Sequence, residues 1–449
     1  MNQEYMKERP VLPLLLSMGV PMILSMIFGA LYNIVDSIFV AKISENAMTA
    51  LSLVFPIQNL AHAVGVGFGI GINASIARML GEGRDREAGM AASQGMLLAM
   101  IHGAALTALG VGIMPWFLRM FTSDPETIAY GLQYSSIVFL FSMADALGMA
   151  YEKIYQAVGK MMMSMTSVLV GCLTNIILDP ILIFGLGPAP ELGIRGAALA
   201  TGIGQTVSLI FYITVNVLRP MNVTIKLREM LPREGIWKPM YSVGIAATLN
   251  IALASFLLSA LNAILAPFSQ VYIMVLGVYY KLQALLYQAA NGLVQGMRPL
   301  IGYNCGAGEY ERVRSIYRSA MGVILVIMAA GTVLCQVAPG WLMGLFTENA
   351  STAGIGAGAL RIISCGFMFS AVSVTSSGAL EGMGQGPASL KISMMRYVAV
   401  IIPLAWLLSL VFGPAGVWNA FWMAEGITAA AAYVIYRRFF RSLRAGDGR

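Results

Sequence analysis

Apolar segments of twenty or more residues recur along the whole of this chain, separated by short polar connections. A helix that crosses a bilayer needs about 20 consecutive, mainly apolar residues. About twelve segments qualify, at approximate limits 12–41, 47–80, 88–118, 125–157, 162–184, 194–218, 239–265, 269–303, 315–345, 352–382, 388–411 and 416–440. Several are longer than the minimum, so tilt or extension beyond the bilayer is expected. Composition agrees. The chain is 58% hydrophobic and 11% charged, against roughly 25% charged residues in soluble domains. It has too few polar side chains to cover a water-facing surface, so the sequence reads as an all-α integral membrane protein. The start, Met1 to Pro10, is polar and has no small-residue cleavage site, so no cleavable signal peptide is expected.

The net charge of +7 does not point to nucleic acid, because the basic residues lie at the ends of apolar segments. One side collects Lys7, Arg9, Arg84, Arg86, Lys153 and Lys160, the central run Arg219, Lys226, Arg228, Arg233 and Lys238, then Arg312, Arg314, Arg318, Lys391 and the tail arginines. The other side shows little beyond Lys42, Arg119 and Arg195. This bias places both termini and the central connection in the cytoplasm, and an even number of spans agrees with it.

The chain also repeats itself. Gly67-x3-Gly71-x4-Ile76-x4-Gly81 recurs as Gly292-x3-Gly296-x4-Ile301-x4-Gly306, an offset of 306 − 81 = 225. Ser17-Met18-Gly19-Val20 and Ser242-Val243-Gly244-Ile245 share that offset, as do Gly159 and Gly384. An offset of six helices preserves orientation, so the repeat is parallel. The expected organisation is a six-helix lobe over 1–218, a cytoplasmic linker over 219–238 and a second six-helix lobe over 239–449.

Within this apolar background two acids stand out, Asp36 and Asp179. A carboxylate near the middle of a bilayer is costly unless compensated, so each is a functional candidate. Asn175 lies four residues before Asp179, on the same helix face, and Asn33 lies three before Asp36. Carboxylate and amide oxygens together suit Na⁺, and a buried acid suits a proton. Asp145 is a third deep acid, on one face with Glu152. In the second half Lys281, Arg298, Glu381, Arg396 and Glu425 are expected to pair among themselves. The acids are not duplicated, since position 36 + 225 is Leu261. Gly65 to Gly71 resembles a phosphate loop only superficially. It lacks a preceding strand and the P-loop lysine, and reads as close helix packing. Pro21 shares a helix with Asp36 and marks a place to bend. Neither histidine, His62 or His102, has a ligand-like partner at helical spacing. The four cysteines show no metal spacing. No catalytic set appears, so an enzyme is not expected.

Specific stretches resemble a known family. They are Leu31-Tyr32-Asn33-Ile34-Val35-Asp36, Asn175-Ile176-Ile177-Leu178-Asp179-Pro180, Gly196-Ala197-Ala198-Leu199-Ala200-Thr201, and Arg298-Pro299-Leu300-Ile301-Gly302-Tyr303-Asn304-Cys305-Gly306-Ala307-Gly308. Across essentially its whole length the chain resembles the prokaryotic multidrug and toxic compound extrusion (MATE) transporters. The resemblance implies two pseudo-symmetric six-helix bundles around a V-shaped cleft, and export of cationic or amphipathic compounds against entry of H⁺ or Na⁺. It places Asp36, Asn175, Asp179, Thr201 and Tyr134 at a first-lobe cation site and Pro21 at a helix bend. Candidates for the substrate cavity are Asn33, Gln58, Asp145, Met149, Tyr279 and Gln283. No cofactor is expected beyond H⁺ or Na⁺, with Na⁺ the one metal the site suits. The expected setting is a multi-pass monomer in the inner (plasma) membrane, meeting small organic cations and lipid. Some relatives use an acid in span seven, and none lies in the apolar part of that span here. The alternative is a flippase of lipid-linked saccharides, which would need a more basic cleft.

Overall fold

The computed structural model describes residues 4–187, 189–231 and 233–445, and among these the secondary structure is helical throughout, with no strand. Long helices run over Val11–Ala41, Glu45–Gly81, Asp85–Phe121, Met161–Phe184 and Ile194–Leu218 in the first half. Glu234–Leu265, Gln270–Gly306, Tyr310–Val337 and Pro414–Ala445 follow in the second. Eight helices are long and apolar enough to cross a membrane, and ten if two bent pairs each count as one span. Of the twelve expected spans, Gln270–Gly306 and Pro414–Ala445 are long enough but less apolar than the others.

The bent pairs are expected spans four and ten. Pro125–Leu140 and Ser142–Ala157 meet at 45°, and Ala350–Ser364 and Phe367–Gly382 meet at 51°. A break frees backbone carbonyls that need donors, and a neighbouring hydroxyl can supply one. Thr107 Oγ1 donates to the Phe139 carbonyl at 2.8 Å, and Thr332 Oγ1 donates to the Ser364 carbonyl at 3.1 Å. Donors and acceptors are both related by 225 (332 − 107; 364 − 139). Expected span eleven is also interrupted, by a π-helical turn at Met395–Val400 between Gly386–Met394 and Ile401–Phe412.

The repeat read from glycines is therefore a repeat of structure. Helices starting at Glu45, Asp85, Pro125, Ser142 and Met161 have counterparts starting at Gln270, Tyr310, Ala350, Phe367 and Gly386, each 225 residues later. Gly83 and Gly308 leave their helices with φ of 72° and 76°, and Gly159 and Gly384 with 77° and 80°. These left-handed turns favour glycine.

The chain divides into two compact units, one holding Leu24–Thr248 and the other Glu4–Ile23 with Leu249–Arg449. Both boundaries fall inside helices, Val11–Ala41 and Glu234–Leu265, and they too are 225 apart (249 − 24). The glycine-rich stretch serves packing. A Cβ on Gly67 would lie 2.6 Å from the Thr248 backbone nitrogen, and one on Gly292 would lie 2.5 Å from Ile23 Cα. The connection after Leu218 is tied to the first unit, with the Lys226 amide donating to Ser93 Oγ at 2.9 Å and the Arg233 amide to Gln94 Oε1 at 3.2 Å. The helix that follows begins at Glu234, ahead of the expected 239, and contains Pro239.

Candidate functional site

In the first unit, three helices bring buried polar groups together. Asp179 and Asn175 sit on Met161–Phe184, four residues apart, and Thr201 sits on Ile194–Leu218. These two helices pack through glycine, with a Cβ on Gly204 only 2.8 Å from the Gly171 carbonyl. Close backbone approach brings the polar side chains within bonding reach. With its amide oriented as its neighbours demand, Asn175 donates to Asp179 Oδ2 at 3.2 Å. Its oxygen accepts from Thr201 N at 3.1 Å and Oγ1 at 3.3 Å.

Asp36 arrives from Val11–Ala41. It is buried, and its Oδ1 has no hydrogen-bond partner among the described residues. Its charge acts on Asp179, on Tyr134 and on Tyr32 one turn earlier in its own helix. Among the described residues, no basic group acts on either carboxylate. Tyr134 lies in the core with Val40, Met114 and Phe139. The result is two acids in an apolar surround, with an amide and a hydroxyl oxygen beside one of them. A proton or a monovalent cation would relieve their mutual repulsion. Among the described residues, no cluster of three or more His, Cys, Asp or Glu forms a transition-metal site.

The substrate-cavity candidates divide between the units. Gln58, Asp145 and Met149 belong to the first. Asn33 is also there but is exposed, its amide donating to the Gly29 carbonyl of its own helix at 2.8 Å. Tyr279 and Gln283 belong to the second unit, Tyr279 buried against Phe421 with ring centroids 5.2 Å apart. Two contacts escaped the sequence reading. His62 Nδ1 lies 4.0 Å from Asp145 Oδ2, a partner 83 residues away (145 − 62) on another helix. Tyr32 is electrostatically coupled to both Asp145 and Asp36. Helical spacing is blind to contacts between helices. A tyrosine one turn from a buried acid was the available signal.

In the second unit the expected pairing is present for four of five charges. Arg298 Nη2 bonds Glu381 at 2.7 Å, and Glu381 Oε1 also accepts from Asn250 and Ser389. Arg396, on the π-helical turn, donates through Nε to Glu425 Oε1 at 2.8 Å and through Nη2 to the Tyr287 hydroxyl at 2.8 Å. Lys281 instead lies over the Phe346 ring, 5.9 Å from its centroid.

A family model described as MatE matches residues 21–181 and 242–407, more than half of the chain. The chain belongs to the MatE family. The family consists of transporters, so the protein is not an enzyme. Among its curated relatives is the multidrug export protein MepA of Staphylococcus saprophyticus, 26% identical over 432 residues, 96% of this chain and 94% of the relative. MepA of Staphylococcus aureus N315 is 25% identical over the same coverage. Among solved structures, a MATE transporter in complex with MaL6 superposes with a TM-score of 0.93 at 22% identity, covering 99% of this chain and 100% of its own. A MOP-superfamily transporter from Pyrococcus furiosus, described as having a binding pocket of reverse polarity, gives 0.92 at 21% identity with 99% coverage of both chains. At these identities the structural likeness speaks for the fold alone.

Within the MatE fold, the second unit's counterpart of the acid site is apolar. Position 36 + 225 is Leu261 and 134 + 225 is Ala359. Beyond the π-helical turn the registers shift. Gly196 packs on the Leu182 carbonyl as Gly416 packs on that of Leu408, giving 408 − 182 = 226 and 416 − 196 = 220. Asn175, Asp179 and Thr201 then correspond to Ile401, Ala405 and Phe421. All five counterparts are buried.

Proposed function

We propose that this MatE-family protein is a secondary efflux transporter of the plasma membrane. It exports cationic and amphipathic compounds, drugs included, in exchange for entry of H⁺ or Na⁺. One observation carries the reading: Asp36 is buried with an unpartnered carboxylate oxygen and shares an apolar site with Asp179, which is braced by Asn175 and Thr201. The names of the staphylococcal relatives favour drug export, and both relatives span nearly the whole chain.

The cycle follows from electrostatics. Facing outward, Asp36 and Asp179 take up the ion, with Tyr134 at the edge of the site. Neutralisation removes the cost of burying like charges and lets the first long helix repack. Pro21 interrupts that helix's hydrogen bonding two residues before the boundary between Ile23 and Leu24 at which it leaves one unit for the other. Repacking there shrinks the first-unit cavity and displaces the substrate outward. Return inward, by alternating access, releases the ion to the cytoplasm, the side to which the lysines and arginines assign both termini. One charge crossing 100 mV supplies about 2.3 kcal/mol. The flippase alternative is disfavoured, since of the deep basic residues Lys281, Arg298 and Arg396 the two arginines are each bound to a carboxylate, which leaves Lys281 for a pyrophosphate.

The test is transport in inside-out vesicles of a fluorescent lipophilic cation, with a proton gradient and a Na⁺ gradient imposed separately. Transport driven by one gradient and lost in Asp36→Asn, with the variant still folded, is the expected result and identifies the ion. Undiminished gradient-driven transport by Asp36→Asn would refute the assignment.

A further inference from the structure

A second acid site lies in the first unit, apart from Asp36 and Asp179. Asp145, on Ser142–Ala157, faces His62 on Glu45–Gly81 with 4.0 Å between Oδ2 and Nδ1. The pair is open, with side chains 28% and 58% exposed. That sets it apart from the closed pairs of the second unit, Arg298 with Glu381 and Arg396 with Glu425. Among the described residues, the charged groups that act on Asp145 are His62 and Glu152. Its own helix brings Glu152, which acts on it and whose charge is already engaged by Lys153 Nζ at 2.8 Å. Val11–Ala41 brings Tyr32, on which the charges of both Asp145 and Asp36 act. His102 on Asp85–Phe121 is turned to Tyr241 at 3.0 Å, and Arg195 on Ile194–Leu218 is turned to Gln133 at 3.2 Å. Met161–Phe184 contributes Cys172, beside Tyr32. Met149, one turn after Asp145, lines the same helix with polarizable apolar surface.

The repeat supplies a control. Positions 62 + 225 and 145 + 225 are Tyr287 and Ser370, the first accepting from Arg396 Nη2 at 2.8 Å and the second donating to the Phe367 carbonyl at 2.7 Å. The second unit thus has two hydroxyls, each bonded elsewhere, where the first has a carboxylate facing an imidazole. A carboxylate adds affinity for positive charge, and an imidazole adds a charge that changes between pH 5 and 8.

We infer that Asp145 is the carboxylate that recognises the positive group of the exported compound, and that protonated His62 competes with that compound for it. The exchange balances. An imidazolium paired with the Asp145 carboxylate gives up its proton to water, and the organic cation takes the place opposite the same carboxylate. Proton binding and cation binding are then mutually exclusive at one residue pair. That helps an exporter release cargo on an acidic side. The inference rests on the export reading above, with Asp36 and Asp179 keeping the role of ion coupling.

The test is equilibrium binding of tetraphenylphosphonium to the purified full-length protein in lipid nanodiscs between pH 6 and 8, with triphenylphosphine oxide as the neutral control. Wild-type affinity for the cation should fall on acidification, by up to about tenfold per pH unit, the limit for one proton competing with one cation. His62→Gln should bind the cation with a flatter pH dependence, and Asp145→Asn should bind it weakly at every pH. The neutral compound should be indifferent to both changes. His62 is exposed, so His62→Gln stays informative should Asp145→Asn fold poorly. An unchanged pH slope in His62→Gln, or undiminished cation affinity in a folded Asp145→Asn, would overturn the inference. Because binding is read without a gradient, this result is independent of the Asp36→Asn transport experiment. Failure of ion coupling there leaves the competition here intact, and the reverse holds equally.

Discussion

The Arg396–Glu425 pair is buried in the second unit, and its removal has a calculable asymmetry. At the 2.8 Å separation of Arg396 Nε and Glu425 Oε1, two unit charges attract by about 6 kcal/mol at an effective dielectric of about 20. Against that stands the desolvation of two ions, several kcal/mol each. Glu425 Oε2 has no hydrogen-bond partner among the described residues, so part of that cost is not recovered. The intact pair is therefore near neutral in net stability. Either partner alone is a different matter. Arg396→Met leaves a buried carboxylate and also deprives the Tyr287 hydroxyl of its donor, and Glu425→Gln leaves a buried guanidinium. Each should destabilise by about 3–5 kcal/mol, whereas the double variant Arg396→Met/Glu425→Gln should lie within about 2 kcal/mol of wild type. Equilibrium unfolding in mixed micelles, run as a double-mutant cycle, measures this. Two single variants each costing under about 1 kcal/mol, or a double variant that sums the singles, would refute the argument that the partners shield each other.

Three further outcomes follow from the same structure. Gly296→Ala puts a methyl 2.6 Å from Gly19 N and should cost about 1–3 kcal/mol by overpacking, while Gly322→Ala, with nothing within 4 Å, should be neutral or gain up to about 1 kcal/mol. Unfolding midpoints of the two variants check both. Asp124 caps the Pro125–Leu140 helix, accepting from Thr127 Oγ1 at 2.5 Å and Thr127 N at 2.9 Å, and these bonds hold its carboxyl below the usual range. Its stabilisation is therefore full above the unfolded-state value and is lost as pH falls through the lower folded-state one, so Asp124→Asn should flatten the acid limb of a stability–pH profile. Thr107→Val should weaken the bend between Leu140 and Ser142, which a paired-label distance across Phe141 would register as a straighter helix; an unchanged distance counts against the carbonyl account.

What could be read from the sequence was what repeats along one helix. Apolar length located the spans, and the glycine offset of 225 anticipated a duplication that helix starts, kinks and turn glycines all display. Asn175 and Asp179 were legible together because four residues is one helical turn. The breaks at Phe141 and at Cys365 were not, because their cause is a threonine on a different helix. His62 with Asp145 and Arg396 with Tyr287 were hidden for the same reason. The π-helical turn was hidden as well, and it coincides with the one-residue shift in register of the Ile401–Phe412 helix that follows it.

That shift bears on why the two units differ chemically. Duplication alone would give each unit the same site, and an ion bound in both would double the charge moved per cycle. In the second unit the counterparts of Asp36, Asn175, Asp179, Thr201 and Tyr134 are Leu261, Ile401, Ala405, Phe421 and Ala359, a set with no polar atom beyond the backbone. No substitution at a single one of these positions restores a cation site, since an isolated acid there would lack both a second carboxylate and the amide that braces it. Leu261→Asp should therefore destabilise the protein without adding ion uptake, by a cost of several kcal/mol set by burying an unpaired charge. Measuring ions moved per substrate in wild type and in any folded Leu261→Asp protein tests the point. An increased ratio in the variant would mean that the second unit retains a latent site, against the proposal that coupling belongs to the first unit alone.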